Sequence, residues 1–380
     1  MYPKYFMPGI SKTIVNVFLR NAGCNSIHQH KEHSMFSPDK SNFKKYLLSF
    51  HKQIDEGRSL SEKARVQLET SRIRHIIYLG MGGSAIAGDL LRDTLYEDLT
   101  VPVHVSRSYQ APGYCGAHSL VIACSYSGNT EETLSAVQSA MDTDAQIMVV
   151  SSGGTLTELA GKHNWPVITL PENYPPRMAL GFMFFSLYHT LGQNGLLMHY
   201  NEDLSGLTHF IQEEIFKHDS QKHDGHILAL ELAKTLHHHI PVLYSTAPFL
   251  QTISRRWQNQ LHENGKVLAF RNVLPEMNHN EIVGWEMELP CIENLMAVFL
   301  ENENPMPRIK ERIGHTIDLV KKSGVGLIEV YSSGETVFEK VFSLIVLGDW
   351  VSYYLALLNK KDPMKIANID YLKQQLAQTH

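Results

Sequence analysis

Short apolar runs, each passing through a turn into a helically spaced segment, constrain this chain more than any other feature. His75–Leu79 (HIIYL) reads as a buried strand with Ser84–Leu95 as the helix behind it. Val101–Val105, Leu120–Cys124, Gln146–Val150 and Val167–Leu170 follow as strands, with a helix near Glu131–Met141. Strands alternating with helices at this spacing make a parallel, doubly wound α/β sheet covered on both faces. The rhythm restarts at Ile240–Tyr244, Lys266–Phe270, Asn294–Leu300 and Gly326–Tyr331, with helical patterns at Leu250–His262, Arg308–Lys322 and Val337–Leu357. This second round repeats the fold rather than the sequence. At 380 residues the chain exceeds the usual size of one hydrophobic core. We therefore expect a first domain over 41–200, a second over 221–358, and a C-terminal helix in 359–380. Residues 1–40 show little periodicity and read as a poorly ordered extension, and a linker is expected near Gly195–Ser220, where charge and glycine rise.

Composition narrows the function classes. A net charge of −5 offers no basic field for nucleic acid. Cys24, Cys115, Cys124 and Cys291 are scattered without a C-x-x-C pair, which suits a reducing cytoplasm and gives no thiolate metal site. No run of eighteen uncharged apolar residues stands out as a membrane span, and the first twenty residues lack a signal-peptide cleavage pattern, so no membrane partner is expected. The clusters His28/His30/His33 and His237/His238/His239 read as polar surface, and no metal is expected.

The first strand ends in Gly80-Met81-Gly82-Gly83-Ser84-Ala85-Ile86-Ala87-Gly88-Asp89. Glycines here let backbone N–H groups approach an anion at the positive end of a helix. A dinucleotide site would also need an acid closing the second strand, and Val101–Arg107 carries none, so a sugar-binding turn is favoured and no cofactor is expected. The third strand runs into Ser125-Tyr126-Ser127-Gly128-Asn129-Thr130, a hydroxyl-rich turn before a helix, with Asn129 and Glu132 spaced as a capping box. A phosphate there would receive hydroxyls, turn N–H groups and the helix dipole without any lysine or arginine.

Two residues suit proton transfer. Glu263 closes the helix carrying Ile253, Trp257 and Leu261, with Gly265 placed as its left-handed stop; taken alone, a glutamate after a helix is most simply surface. His279 lies in the polar loop Leu274–Ile282, and histidine moves protons at neutral pH. Glu276 and Glu281 are rival acids in that loop.

Taken together and in order, GMGGSAIAGD (80–89), SYSGNTEETL (125–134), SSGG (151–154), PPRMALG (175–181), HENGK (262–266) and LPEMNHNEIVGW (274–285) resemble the bifunctional phosphoglucose/phosphomannose isomerase family of the sugar-isomerase (SIS) superfamily. The likeness runs from about Ile77 to Leu376. It implies two SIS domains, each a flavodoxin-like doubly wound sheet, and metal-independent interconversion of glucose 6-phosphate, and mannose 6-phosphate, with fructose 6-phosphate through an enediol. It places sugar contacts on Gly82, Gly83 and Ser84, and the phosphate on Ser125, Ser127 and Thr130. Arg177 is implied to stabilise enediolate charge, Glu263 to carry the C2/C1 proton, and His279 to open the ring from the partner subunit of a homodimer. Lys373 best matches a C-terminal lysine near the ring oxygen, with Lys361 and Lys365 as alternatives. Ala87 replaces a frequent glycine, and 361–372 lacks the threonine associated with mannose use. A phosphosugar sensor without catalysis is the competing reading, weakened by the presence of both Glu263 and His279.

Overall fold

The computed structural model describes residues 15–18, 38–220, 226–286 and 290–378. The strands are β1 (Val15–Phe18), β2 (His75–Leu79), β3 (Val103–Ser106), β4 (Ser119–Cys124), β5 (Gln146–Ser151), β6 (Val167–Thr169), β7 (Ile240–Thr246), β8 (Phe270–Leu274), β9 (Leu295–Glu301) and β10 (Gly326–Tyr331). The helices are α1 (Lys44–Ser49), α2 (Lys52–Ala64), α3 (Gly82–Thr94), α4 (Glu131–Met141), α5 (Gly154–His163), α6 (Leu180–Gln193), α7 (Ser205–His218), α8 (Leu228–Leu236), α9 (Phe249–Gln260), α10 (Pro307–Lys322), α11 (Val337–Leu358) and α12 (Ala367–Leu376).

One sheet has the order β3-β2-β4-β5-β6, entirely parallel. The other runs β1-β10-β9-β7-β8, so from β8 to β10 it repeats the first arrangement. Its fifth place is filled by β1, antiparallel to β10 and drawn from the stretch read as an extension. The rest of 1–37, including the His28/His30/His33 cluster, lies outside the described residues. The fully buried pattern of β4 reflects helices on both faces.

A single apolar core joins the halves: α2, α3, α6, α9 and α11 contribute to one contiguous cluster. Phe184 and Phe185 of α6 meet Phe338 and Phe342 of α11. Buried Gln53 on α2 donates to the Met178 carbonyl (2.7 Å) and accepts from Gly181 N (2.9 Å), capping the polar groups where α6 begins. α11 is long and apolar enough to span a bilayer, yet 94% of that window is buried in this core.

Several sequence expectations shift. The stretch read as a linker contains α7, whose Leu207, Ile211 and Ile215 face inward at helical spacing. The strand expected at 266–270 forms at 270–274, because α9 is extended by a π-helical turn, Leu261–Gly265. The left-handed residue after that turn is Lys266 (φ 57°), not Gly265.

Candidate active site

The site is built at the carboxyl ends of the first sheet's strands, where open α/β sheets bind ligands. Gly82 opens α3, and Gly83 lets the turn lie against the chain at Arg177: a Cβ there would sit 3.1 Å from the Arg177 Cα and N. The Ser84 hydroxyl is buried and accepts from Tyr126 N (3.2 Å), tying the glycine turn to the hydroxyl-rich one. The latter turn needs its own glycine. Gly128 has φ 69°, and a Cβ on it would collide with the Gly153 carbonyl, so the turns after β4 and β5 interlock.

The hydroxyls of this turn are not equivalent. Ser125 is fully buried and bonded to Thr130 Oγ1 (2.9 Å), whereas Ser127 is exposed. The capping box expected from Asn129 and Glu132 does not form. Asn129 Oδ1 instead takes the N–H and hydroxyl of Thr155, both at 3.0 Å, and Thr130 becomes the N-cap without a side-chain bond to the helix N–H groups. The first N–H groups of α4 are therefore left without a side-chain acceptor, beside Ser127 and Thr130, which suits an anion.

The second half contributes the carboxylate. On the π turn, Glu263 Oε2 lies 3.3 Å from Arg177 Nη1, with the glutamate side chain 25% exposed and the arginine 4%. Single π turns recur at functional sites because they re-aim a side chain that an α-helix would place elsewhere. Arg177 is held on every side: Nε donates to Asn264 Oδ1 (2.7 Å), and Nη2 to the carbonyls of Pro363 (2.9 Å) and Met364 (3.3 Å). Burial pulls its pKa below the ordinary value, and the Glu263 charge opposes that shift. Lys266 Nζ reaches the Glu263 and Pro363 carbonyls; burial, then the Arg177 charge, push its pKa down to about 8. The residue as a whole is nonetheless exposed, so solvent moderates that shift.

A second layer fixes Arg177. Arg256 Nη1 donates to the Arg177 carbonyl (2.9 Å) while Nη2 pairs with buried Asp349 (2.7 Å). Gln260 takes the other Asp349 oxygen (2.8 Å), and Asn264 Nδ2 donates to Ser352 Oγ (3.0 Å). None of Asn264, Lys266, Arg256, Gln260, Asp349 or Ser352 was singled out from sequence. The available signal was Asp349, a lone acid in the apolar stretch of a 22-residue helix, and the i, i+4 spacing of Arg256 and Gln260.

Thus Gly82, Gly83, Ser84, Ser125, Ser127, Thr130, Arg177 and Glu263 are brought to linked turns. His279 and Lys373 are not in contact with Glu263 or Arg177 within the chain. His279 is exposed after β8, and Lys373 sits on α12, which buries no residue. Among the described residues no group of three or more His, Cys, Asp or Glu could hold a metal ion.

Comparison with known proteins agrees with this architecture. The bacterial phospho-glucose isomerase C-terminal SIS domain matches residues 226–376. A bifunctional phosphoglucose/phosphomannose isomerase of Caldicellulosiruptor bescii is 36% identical over 326 residues, covering 86% of this chain and 96% of that protein. One of Aquifex aeolicus is 32% identical over 303 residues, covering 79% and 90%. A hypothetical protein of Thermus thermophilus shares the fold with a TM-score of 0.71 at 13% identity, over 91% of this chain and 92% of its own. The chain belongs to the bifunctional phosphoglucose/phosphomannose isomerase family.

Proposed function

We propose that this chain interconverts glucose 6-phosphate and mannose 6-phosphate with fructose 6-phosphate, with Glu263 as the proton carrier. The observation that carries this reading is the Glu263–Arg177 pair, 3.3 Å apart beside the glycine turn. A hexose phosphate would place its dianion at Ser127, Thr130 and the start of α4, and its sugar along Gly82–Ser84. In the open-chain aldose, Glu263 removes the C2 proton as electrons shift to the carbonyl oxygen. Arg177 faces the resulting enediolate charge while the O2 hydroxyl proton passes to O1, and Glu263 returns its proton to C1 as the O2 electrons form the C2 carbonyl of the ketose. No redox partner is required, since C2 is oxidised as C1 is reduced, with one proton moving from C2 to C1 and one from O2 to O1.

Ring opening is assigned to His279 of a second copy, with Lys373 near the ring oxygen. Support comes from the exposure of both, and from Tyr371, Leu372 and Leu376 of α12, which present apolar surface beside Lys373. We therefore propose a homodimer. We also propose a cytoplasmic enzyme, because Cys115, Cys124 and Cys291 are free thiols. The domain limits 41–200 and 221–358 belong to the same reading, each half centred on one sheet.

The test is Glu263→Gln, assayed with glucose 6-phosphate, mannose 6-phosphate and fructose 6-phosphate in the presence of chelator. Isomerisation should fall by at least about a thousandfold while phosphosugar affinity stays within a few-fold. Normal turnover would remove Glu263 from its role, and binding without turnover in the unaltered protein would favour a sensor.

A further inference from the structure

The two sheets repeat one another, so each has its own set of strand-end turns. In the second sheet the counterparts of the glycine turn, the hydroxyl-rich turn and the Ser151–Gly154 turn follow β7, β9 and β10. A cavity of about 450 Å³ opens there, lined by Thr246–Phe249, by Asn302 and Asn304–Met306, and by Thr336–Phe338. The rest of its wall is the end of α3 and the turn after it, Asp93 to Asp98, together with Tyr188, Ile309 and His199, whose ring pairs with Asp98 (2.8 Å). The relation is reciprocal: α9 begins at this cavity and ends at Glu263, while α3 begins at the Gly82 turn and ends at this cavity.

We infer that this cavity is a second ligand site, taking an uncharged ring compound with hydroxyl or amide groups, a free sugar or nucleoside, and that its occupancy is felt at Glu263. Size alone suits such a molecule, since small-ligand sites run from about 300 to 1,000 Å³. The walls offer flat apolar faces from Tyr96, Phe249, Ile309 and Phe338. Polar contacts come from Asn302, Thr246 and Thr94; the Thr94 hydroxyl is buried, the residue only 8% exposed, and it has no hydrogen-bond partner among the described residues. A phosphate is disfavoured. No lysine or arginine lines the cavity, Asp93, Glu97 and Asp98 do, and the start of α11 is already closed by its own Glu339, which accepts from Glu335 N (2.8 Å) and Thr336 N (2.9 Å).

The coupling is mechanical. α3 and α9 pack against each other, and Thr252 of α9 donates to Asp93 of α3 beside the cavity. A ligand that shifts either helix end moves a rigid rod about 18 Å long whose other end is the glycine turn or the π turn. This coupling, unlike the binding itself, rests on the isomerase reading.

The experiment is calorimetric titration of the full chain with glucose, adenosine and AMP, followed by steady-state kinetics with fructose 6-phosphate. Glucose or adenosine should bind with a Kd below about 1 mM, the AMP phosphate should weaken adenosine binding by about tenfold, and bound ligand should change kcat at saturating fructose 6-phosphate at least about twofold. The arm that binds identifies the ligand as sugar or nucleoside. Asn304→Trp, at an exposed rim position, should abolish binding and leave basal activity unchanged; Asn302→Leu repeats the test should the tryptophan disturb folding. No binding by either compound, tighter binding of AMP than adenosine, or binding that survives both variants overturns the site. Binding with unaltered kcat and KM overturns the coupling. A chain that binds ligand yet never isomerises sugar phosphates refutes the catalytic reading and leaves the site standing.

Discussion

Removing the Arg256 guanidinium tests whether the layer behind Arg177 positions the Arg177–Glu263 pair or only fills space. Arg256 and Asp349 are 3% and 5% exposed and 2.7 Å apart, so Arg256→Met leaves a carboxylate in the core that keeps, among the described residues, the Gln260 hydrogen bond and the more distant Arg177 charge. Breaking one side of a buried pair destabilises by about 3–5 kcal/mol, a large share of the roughly 5–15 kcal/mol typical of a domain. Arg256→Met/Asp349→Leu removes both charges, and replacing a whole buried pair with apolar groups is close to neutral, so it should fall within about 1–2 kcal/mol of the parent. Urea unfolding of the parent, Arg256→Met, Asp349→Leu and the double variant gives the coupling directly. Activity should behave differently. The double variant still lacks the donor to the Arg177 carbonyl, so it should regain stability without regaining kcat, which misplacement of about 1 Å can lower by about a hundredfold. If the double variant is as unstable as the single one, or if it is fully active, the positioning argument is wrong.

Other consequences concern pH and the phosphate turn. Burial, reinforced by the Glu329 charge, raises the Glu301 pKa to about 8, against 4.5 ordinarily. The folded state then binds a proton that the unfolded state has released between those values, so stability is greatest below about pH 4.5 and falls as pH rises toward 8. At about 1.4 kcal/mol per unit this amounts to roughly 3 kcal/mol by pH 7. Glu301→Gln should flatten that dependence and be more stable than the parent at pH 7–8; parallel urea midpoints from pH 5 to 8 would refute it. Gly128→Ala meets both a positive φ and the Gly153 carbonyl, so it should destabilise by about 2–4 kcal/mol and raise KM for fructose 6-phosphate, and a variant with parental melting temperature and KM would show that the interlock is dispensable.

The sheets were legible because β4 and its neighbours are continuous apolar runs that only a doubly covered strand explains. The turns were legible because glycine and hydroxyl clusters fell at strand ends. What escaped was set by tertiary contact. The π turn at Leu261–Gly265 has no local signature, and it moved both the left-handed residue and the following strand. Asn129 has the spacing of a cap, yet Thr155 competes for its oxygen from a turn 26 residues away. β1 joins the sheet from a stretch whose four-residue apolar segment is too short to read as a strand by itself.

The duplicated architecture gives the two crevices different turns, which accounts for placing the proposed phosphate site in the first alone. After β4 the first sheet continues Ser125-Tyr126-Ser127-Gly128, neutral donors on a tight turn. At the matching place in the second sheet Glu301 closes β9 and Asn302-Glu303-Asn304 follow it. Two like charges about 4 Å apart repel by about 4 kcal/mol near a protein surface, so an ionised Glu303 opposes phosphate there, while Glu301, its pKa raised to about 8, keeps its proton near neutral pH and adds little charge. On the proposed reading the second sheet holds no substrate phosphate and supplies Glu263 instead, from the π turn that follows α9. Grafting the hydroxyl turn by Glu301→Ser and Glu303→Ser should therefore let inorganic phosphate bind beside α10, and if phosphate still fails to bind there the difference between the crevices lies in backbone shape rather than charge.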